Sequence, residues 1–170
     1  MSMNLNYVRI RLDELAALQA DVEKVRRLIE ESEEAIWRDD SAIPETVCSI
    51  GQSWDLIANL LGVQPVDDDS VLHDAVYGAS DINDDDLGYG PARFLLPGRV
   101  EVVAEALRSV TVDQLKERFT PTLFAENNIY PFMSGNDENA FELVSFYFPK
   151  LVEFYEKAAQ NGDAVVVYMI

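Results

Sequence analysis

The sequence predicts an α+β fold: a single compact domain, residues 1–170, in which a small mixed β-sheet is packed by several helices. Two runs of β-formers at the ends of the chain carry this reading. LNYVRIR at 5–11 alternates its side chains, and AVVVYMI at 164–170 is an unbroken apolar run of strand length. Between them, apolar residues recur mostly at helical spacing. The chain has 170 residues, of which 48% are hydrophobic. That length suits one domain with a sizeable core.

The elements follow in order. Over 13–35, Leu15, Leu18, Val22, Val25 and Ile29 form one stripe, which predicts a single helix with Asp13 as its N-cap. RDDSAIPE reads as a loop. Ser53 is placed to cap a helix from Trp54, with Gly62 as its stop. Ser70 and Gly78 bracket a short helix over 71–77. ASDINDDDLGYGP, residues 79–91, is a loop by composition, and ARFLL at 92–96 is extended. Pro97 suits the first turn of a helix in which Val100, Val103, Ala104 and Leu107 face inward. Thr111 and Gln114 make a capping-box pattern for 112–119. Thr120-Pro121 ends that helix, and a further turn of helix precedes Ile129-Tyr130-Pro131. The last helix spans about 137–160, its seam formed by Phe141, Val144, Phe148, Leu151 and Tyr155. Pro149 predicts a kink or break near 145–148. Asn161-Gly162 stops it. The final strand, apolar on both faces, belongs at the centre of a sheet that also holds the 5–11 strand, with 92–96 as a further candidate.

Lys and Arg total 13 against 31 Asp and Glu, a net charge of −18. Such a field repels phosphate, which argues against nucleic acid and anionic membranes as partners. Residues 61–98 concentrate it: eight aspartates against one base, Arg93, give −7 over 38 residues. A single cysteine, Cys48, forms no internal disulfide. The N-terminus does not read as a signal peptide, and no apolar run reaches a membrane span. A cytoplasmic protein is expected.

Few residues offer chemistry. Asp81-Ile82-Asn83-Asp84-Asp85 resembles the start of a calcium loop, but Asp86 stands where glycine is needed and Ala92 where a bidentate Glu is needed. A solvated acidic loop is the simpler reading. Cys48 and His73 are each unique, and nothing in their spacing makes them a catalytic dyad. One Cys and one His are a poor start for zinc. No metal set, cofactor motif or catalytic set is legible. Gly88-Tyr89-Gly90-Pro91-Ala92-Arg93 matches neither a dinucleotide fingerprint nor a P-loop. It either presents Tyr89 and Arg93 to an anionic or aromatic ligand, or is a tight turn with Arg93 paired to a nearby aspartate. Trp54 reads as a core anchor and Asp55 as an acid complementing the helix dipole. Tyr130 reads as a packed aromatic in a turn.

The same segments carry a family resemblance. YVRIRLDEL, SWDLIANLL, VLHDAVYGAS, LGYGPARFLLPGRV, EVVAEAL, NIYP and FYEKAAQNGDAVVVY span nearly the whole chain in order. Together they resemble the YfbM-like family of small bacterial proteins, a domain of unknown function. LGYGPARFL and IYP are the most specific pieces. The resemblance implies a compact α+β domain and no established activity. It marks Trp54, Asp55, Tyr89, Gly90, Pro91, Arg93 and Tyr130 as motif positions without roles. Ala58 stands where members often carry a histidine, and Leu96 where Thr often precedes the helix-initiating proline.

Two functions are expected from these residues. One is a non-catalytic acidic module recognising a basic protein partner. The other is a ligand binder or enzyme with a pocket gathering Trp54, Tyr89, Arg93 and Tyr130, Arg93 holding a carboxylate or phosphate.

Overall fold

The computed structural model describes residues 2–38, 43–63, 69–120, 122–131 and 137–170. Asp67, Asp68 and Pro121 lie outside them. Five strands make one sheet in the order β2-β1-β5-β4-β3: β1 (Leu5–Ile10), β2 (Val47–Gly51), β3 (Ser80–Asp86), β4 (Pro91–Leu95) and β5 (Ala164–Met169). The C-terminal strand is central, as its composition requires. The expected mixed pairing is corrected, because each of the four ladders is antiparallel. Parallel neighbours need a crossover connection. Here β3 and β4 are joined by a four-residue turn, and two helices separate β1 from β2.

β5 explains the layering. Val165 and Val167 point into one apolar cluster, and Ala164, Val166 and Tyr168 into another. The smaller cluster lies under α1 (Leu12–Ala20) and α2 (Val22–Trp37), through Leu15, Leu18, Val25 and Ile29. The larger lies under α3 (Trp54–Leu61), α4 (Val71–Tyr77), α5 (Pro97–Arg108), α6 (Val112–Arg118), α7 (Leu123–Asn127) and α8 (Asp137–Asn161). Two buried hydroxyls tie α4 to its neighbours. Tyr7 donates to the Val76 carbonyl and Tyr155 to the Ala75 carbonyl, both at 2.9 Å.

Several expectations change. The 13–35 helix is two helices, and Asp21 accepts from the Glu23 amide at 3.0 Å to start the second. Arg11, not Asp13, is the first N-cap, and its amide donates to Glu14 at 2.9 Å. β2 and β3 occupy stretches read as loop or left unassigned. Buried Ile82 and pairing to β4 hold the acidic 80–86 segment extended. An edge position tolerates its carboxylates. Pro149 does not break α8, which continues through it. Ser53 precedes α3 but makes no side-chain cap bond, because its hydroxyl donates to the Ile50 carbonyl at 2.6 Å. Three other caps stand as read: Ser70 accepts from the His73 amide, Thr111 from the Gln114 amide, and Gly62 closes α3 at φ 76°.

Candidate functional site

Trp54, Asp55 and Tyr130 form one interlocked group. Trp54, 8% exposed, opens α3 and donates from Nε1 to the Met3 carbonyl at 3.1 Å. Its ring stacks on Tyr130 at 5.9 Å and meets Tyr77 edge-on at 6.1 Å. The Tyr130 hydroxyl accepts from the Met3 amide at 3.0 Å. Asp55 accepts from the Tyr130 amide at 2.7 Å and from Asn59 Nδ2 at 3.1 Å. Burial pushes the Asp55 carboxyl above its ordinary value, and the Tyr130 N–H opposes that shift. The group ties the N-terminus, α3 and the 128–131 segment together.

Arg93 and Tyr89 stand elsewhere. Arg93 faces Asp81 across the β3–β4 ladder, its Nε 3.3 Å from the carboxylate, and Nη2 donates to the Ala79 carbonyl at 3.1 Å. Tyr89 is 40% exposed at the β3–β4 turn. Gly88 and Gly90 take φ of 110° and 100° there, which explains glycine at both places. Asp86 accepts from both of their amides, at 2.8 and 3.0 Å. Among the described residues, no hydrogen bond, ion pair or ring contact joins Arg93 or Tyr89 to Trp54, Asp55 or Tyr130.

β3 gathers the acidic face. Asp81, Asp84 and Asp86 are exposed along the open edge of the sheet. Asp85 is clasped by Arg26 of α2 through two bonds of 2.9 and 2.8 Å, which hold its carboxyl below the usual range. The calcium-like pattern is spent on local bonds: Asn83 Oδ1 accepts from the Asp85 amide, and Asp86 caps the turn. Among the described residues, no cluster of three or more His, Cys, Asp or Glu could hold a metal ion. No described helix is long and apolar enough to cross a membrane.

The opposite edge carries a cleft of about 510 Å3 that sequence reasoning did not locate. Its walls are the end of α2 and the middle of α8, with β1 and β2 between them. Glu33 is its best-held polar group. One carboxylate oxygen accepts from Asn6 Nδ2 at 2.9 Å and from the Tyr168 hydroxyl at 2.7 Å, and the other from Trp37 Nε1 at 2.9 Å. Cys48 lines the same cleft but is 8% exposed, and burial pushes its thiol up to about 12. Among the described residues, no hydrogen bond or ion pair joins it to His73, which sits on α4 with Nδ1 3.5 Å from Asp74. Nothing in the sequence sets Glu33 or Trp37 apart: Glu33 lies within the predicted 13–35 helix and Trp37 just beyond its end.

No curated protein matches the chain. Among solved structures, a protein of unknown function, YfbM from Escherichia coli, is similar at 18% identity. The match covers 98% of this chain and 99% of that one, with a TM-score of 0.72, and at that identity it speaks for the fold alone. The model of a family described as a domain of unknown function, DUF1877, matches residues 1–168. With nearly every residue inside that match, the chain belongs to the DUF1877 family.

Proposed function

We propose that the protein is a non-catalytic binding module that recognises a basic protein partner through its acidic surface. The observation that carries this reading is the open β3 edge. It presents the exposed carboxylates of Asp81, Asp84 and Asp86 in a chain of net charge −18. A strong field of one sign speeds encounter with an opposite one and makes the complex salt-sensitive. The place of action we propose is the cytoplasm, where a lone buried thiol needs no partner.

The pocket built on Arg93 has less support, since its guanidinium is engaged by Asp81 and the Ala79 carbonyl. The test is capture of partners by the tagged protein from lysate of its source cells, washed at low and high salt. Asp84→Lys serves as the comparison, because Asp84 is exposed and forms no ion pair among the described residues. One stoichiometric basic protein is expected. It is lost as salt rises and is held at least about tenfold less tightly by the variant, as reversal of a charge at a complementary interface predicts. An empty capture at low salt, or retention indifferent to salt, overturns the reading.

A further inference from the structure

We propose that the cleft over β2 binds a small zwitterion with an apolar body, of the size of a free apolar amino acid. Its ammonium lies against Glu33, and its carboxylate against Lys150. This inference is independent of the acidic edge, because β2 and β3 are opposite edges of the sheet.

Two charges of the cleft that no opposite charge answers carry it. Among the described residues, three carboxylates and two ammoniums line the space: Glu33, Glu45, Glu153, Lys150 and Lys157. Lys157 lies 3.2 Å from Glu45 and 3.0 Å from Glu153, so those two carboxylates share its ammonium and the trio keeps a charge of −1. Glu33 and Lys150 remain. Glu33 accepts three hydrogen bonds, and all come from neutral donors. Such donors fix the direction of a carboxylate and leave its charge in place. Lys150 has no carboxylate partner among the described residues. Its ammonium sits 3.6 Å from the centroid of the Phe146 ring. In a chain with more than twice as many acids as bases, an exposed ammonium at the wall of a cleft, with no acid partner among the described residues, is a site for a carboxylate.

The other walls agree with a zwitterion. Asn6 is 1% exposed, lines the cleft, and spends its Nδ2 on Glu33. Trp37 at 72% exposure and Phe146 at 55% flank the opening with apolar surface. Large exposed aromatics rimmed by polar groups mark binding grooves. The volume of about 510 Å3 falls within the range of small-molecule sites. A ligand with one charge would leave either Glu33 or Lys150 uncompensated. A fully polar one would leave the aromatic rim wet.

The experiment is titration calorimetry of the full chain with L-phenylalanine and L-leucine. N-acetyl-L-phenylalanine, which lacks the ammonium, and L-phenylalaninamide, which lacks the carboxylate, are the controls. Saturable binding of the free amino acids is expected, with each blocked form at least about tenfold weaker, as loss of a charged contact predicts. Lys150→Met is expected to remove the preference for the acid over the amide while keeping the preference for the free amine. Lys150 is exposed, so this variant does not depend on a buried packing change. Glu33→Gln is expected to remove the amine preference alone. Absence of saturable binding at 10-fold above the physiological range, about 10 mM, overturns the proposal. So does equal binding of the blocked forms, or selectivity that Lys150→Met leaves unchanged.

Discussion

Asp55 shows how one residue can hold a junction at a cost that depends on pH. Its carboxylate accepts the Tyr130 amide and an Asn59 N–H, but burial raises its pKa above the ordinary value of 3.8. A carboxyl whose folded pKa lies above its unfolded one binds protons more readily in the fold. Its contribution is therefore fully present below the unfolded value and is lost as pH rises through the folded one. Asn at this position keeps an acceptor for the Tyr130 amide and carries no charge. Urea unfolding of wild type and Asp55→Asn across pH 3 to 7, on the order of the ordinary carboxylate range and above, tests the balance. The wild type is expected to lose stability relative to the variant as pH passes upward through the carboxyl range, with the difference flat above it. A difference that is constant, or that grows in favour of the wild type, overturns the burial argument. Tyr130 and Trp54 are partners in the same junction, so their motif status has a structural account before any functional one.

At the scale of elements, Pro149 marks a conflict between local chemistry and packing. The ring removes one i→i−4 hydrogen bond and crowds the preceding turn. α8 nevertheless runs from Asp137 to Asn161. Phe141, Val144 and Phe148 before the proline, and Leu151 and Tyr155 after it, are buried in the same cluster. Burial on both sides outweighs the local loss. Pro149 itself is exposed, so Pro149→Ala restores the bond without opening a cavity. A gain of about 1–3 kcal/mol in chemical unfolding is expected; a loss would mean that the packing of α8 depends on the proline. The same competition explains what the sequence reveals and what it conceals. Central β5, the α5 stripe and the capping residues of α4 and α6 are legible because local pattern and tertiary demand agree. β3 is not, because SDINDDD has almost no strand propensity and is held by one buried isoleucine and its partner strand. β2 is not, because five residues at an edge give too short an alternation. The break at Asp21 hides under an apolar stripe that continues through it. The cleft over β2 is assembled from Asn6, Glu33, Cys48 and Lys150, which are far apart in sequence and share no motif.

At the scale of the whole molecule, the excess of acids acts on folding and on association with opposite sign. Thirty-one acids against thirteen bases leave the compact state repelling itself. The ion pairs that relieve this are mostly at the surface, including Arg11–Asp13, Arg38–Glu34 and Arg108–Glu156, where each is worth little. The two apolar clusters on either side of the sheet carry the fold against that repulsion. Salt screens charges beyond about 10 Å at 0.1 M. Raising NaCl from about 20 to 500 mM therefore weakens long-range repulsion more than it weakens the close pairs. The melting temperature is expected to rise by roughly 2–4 °C, the equivalent of about 1 kcal/mol for a chain of this size. A basic partner held by the β3 carboxylates would respond the other way, since the same ions screen its attraction. Measuring both across one salt series separates a weaker complex from a weaker fold. Thermal stability that falls together with retention would locate the salt effect in the domain itself, and loss of the partner while the domain grows more stable would locate it at the acidic edge.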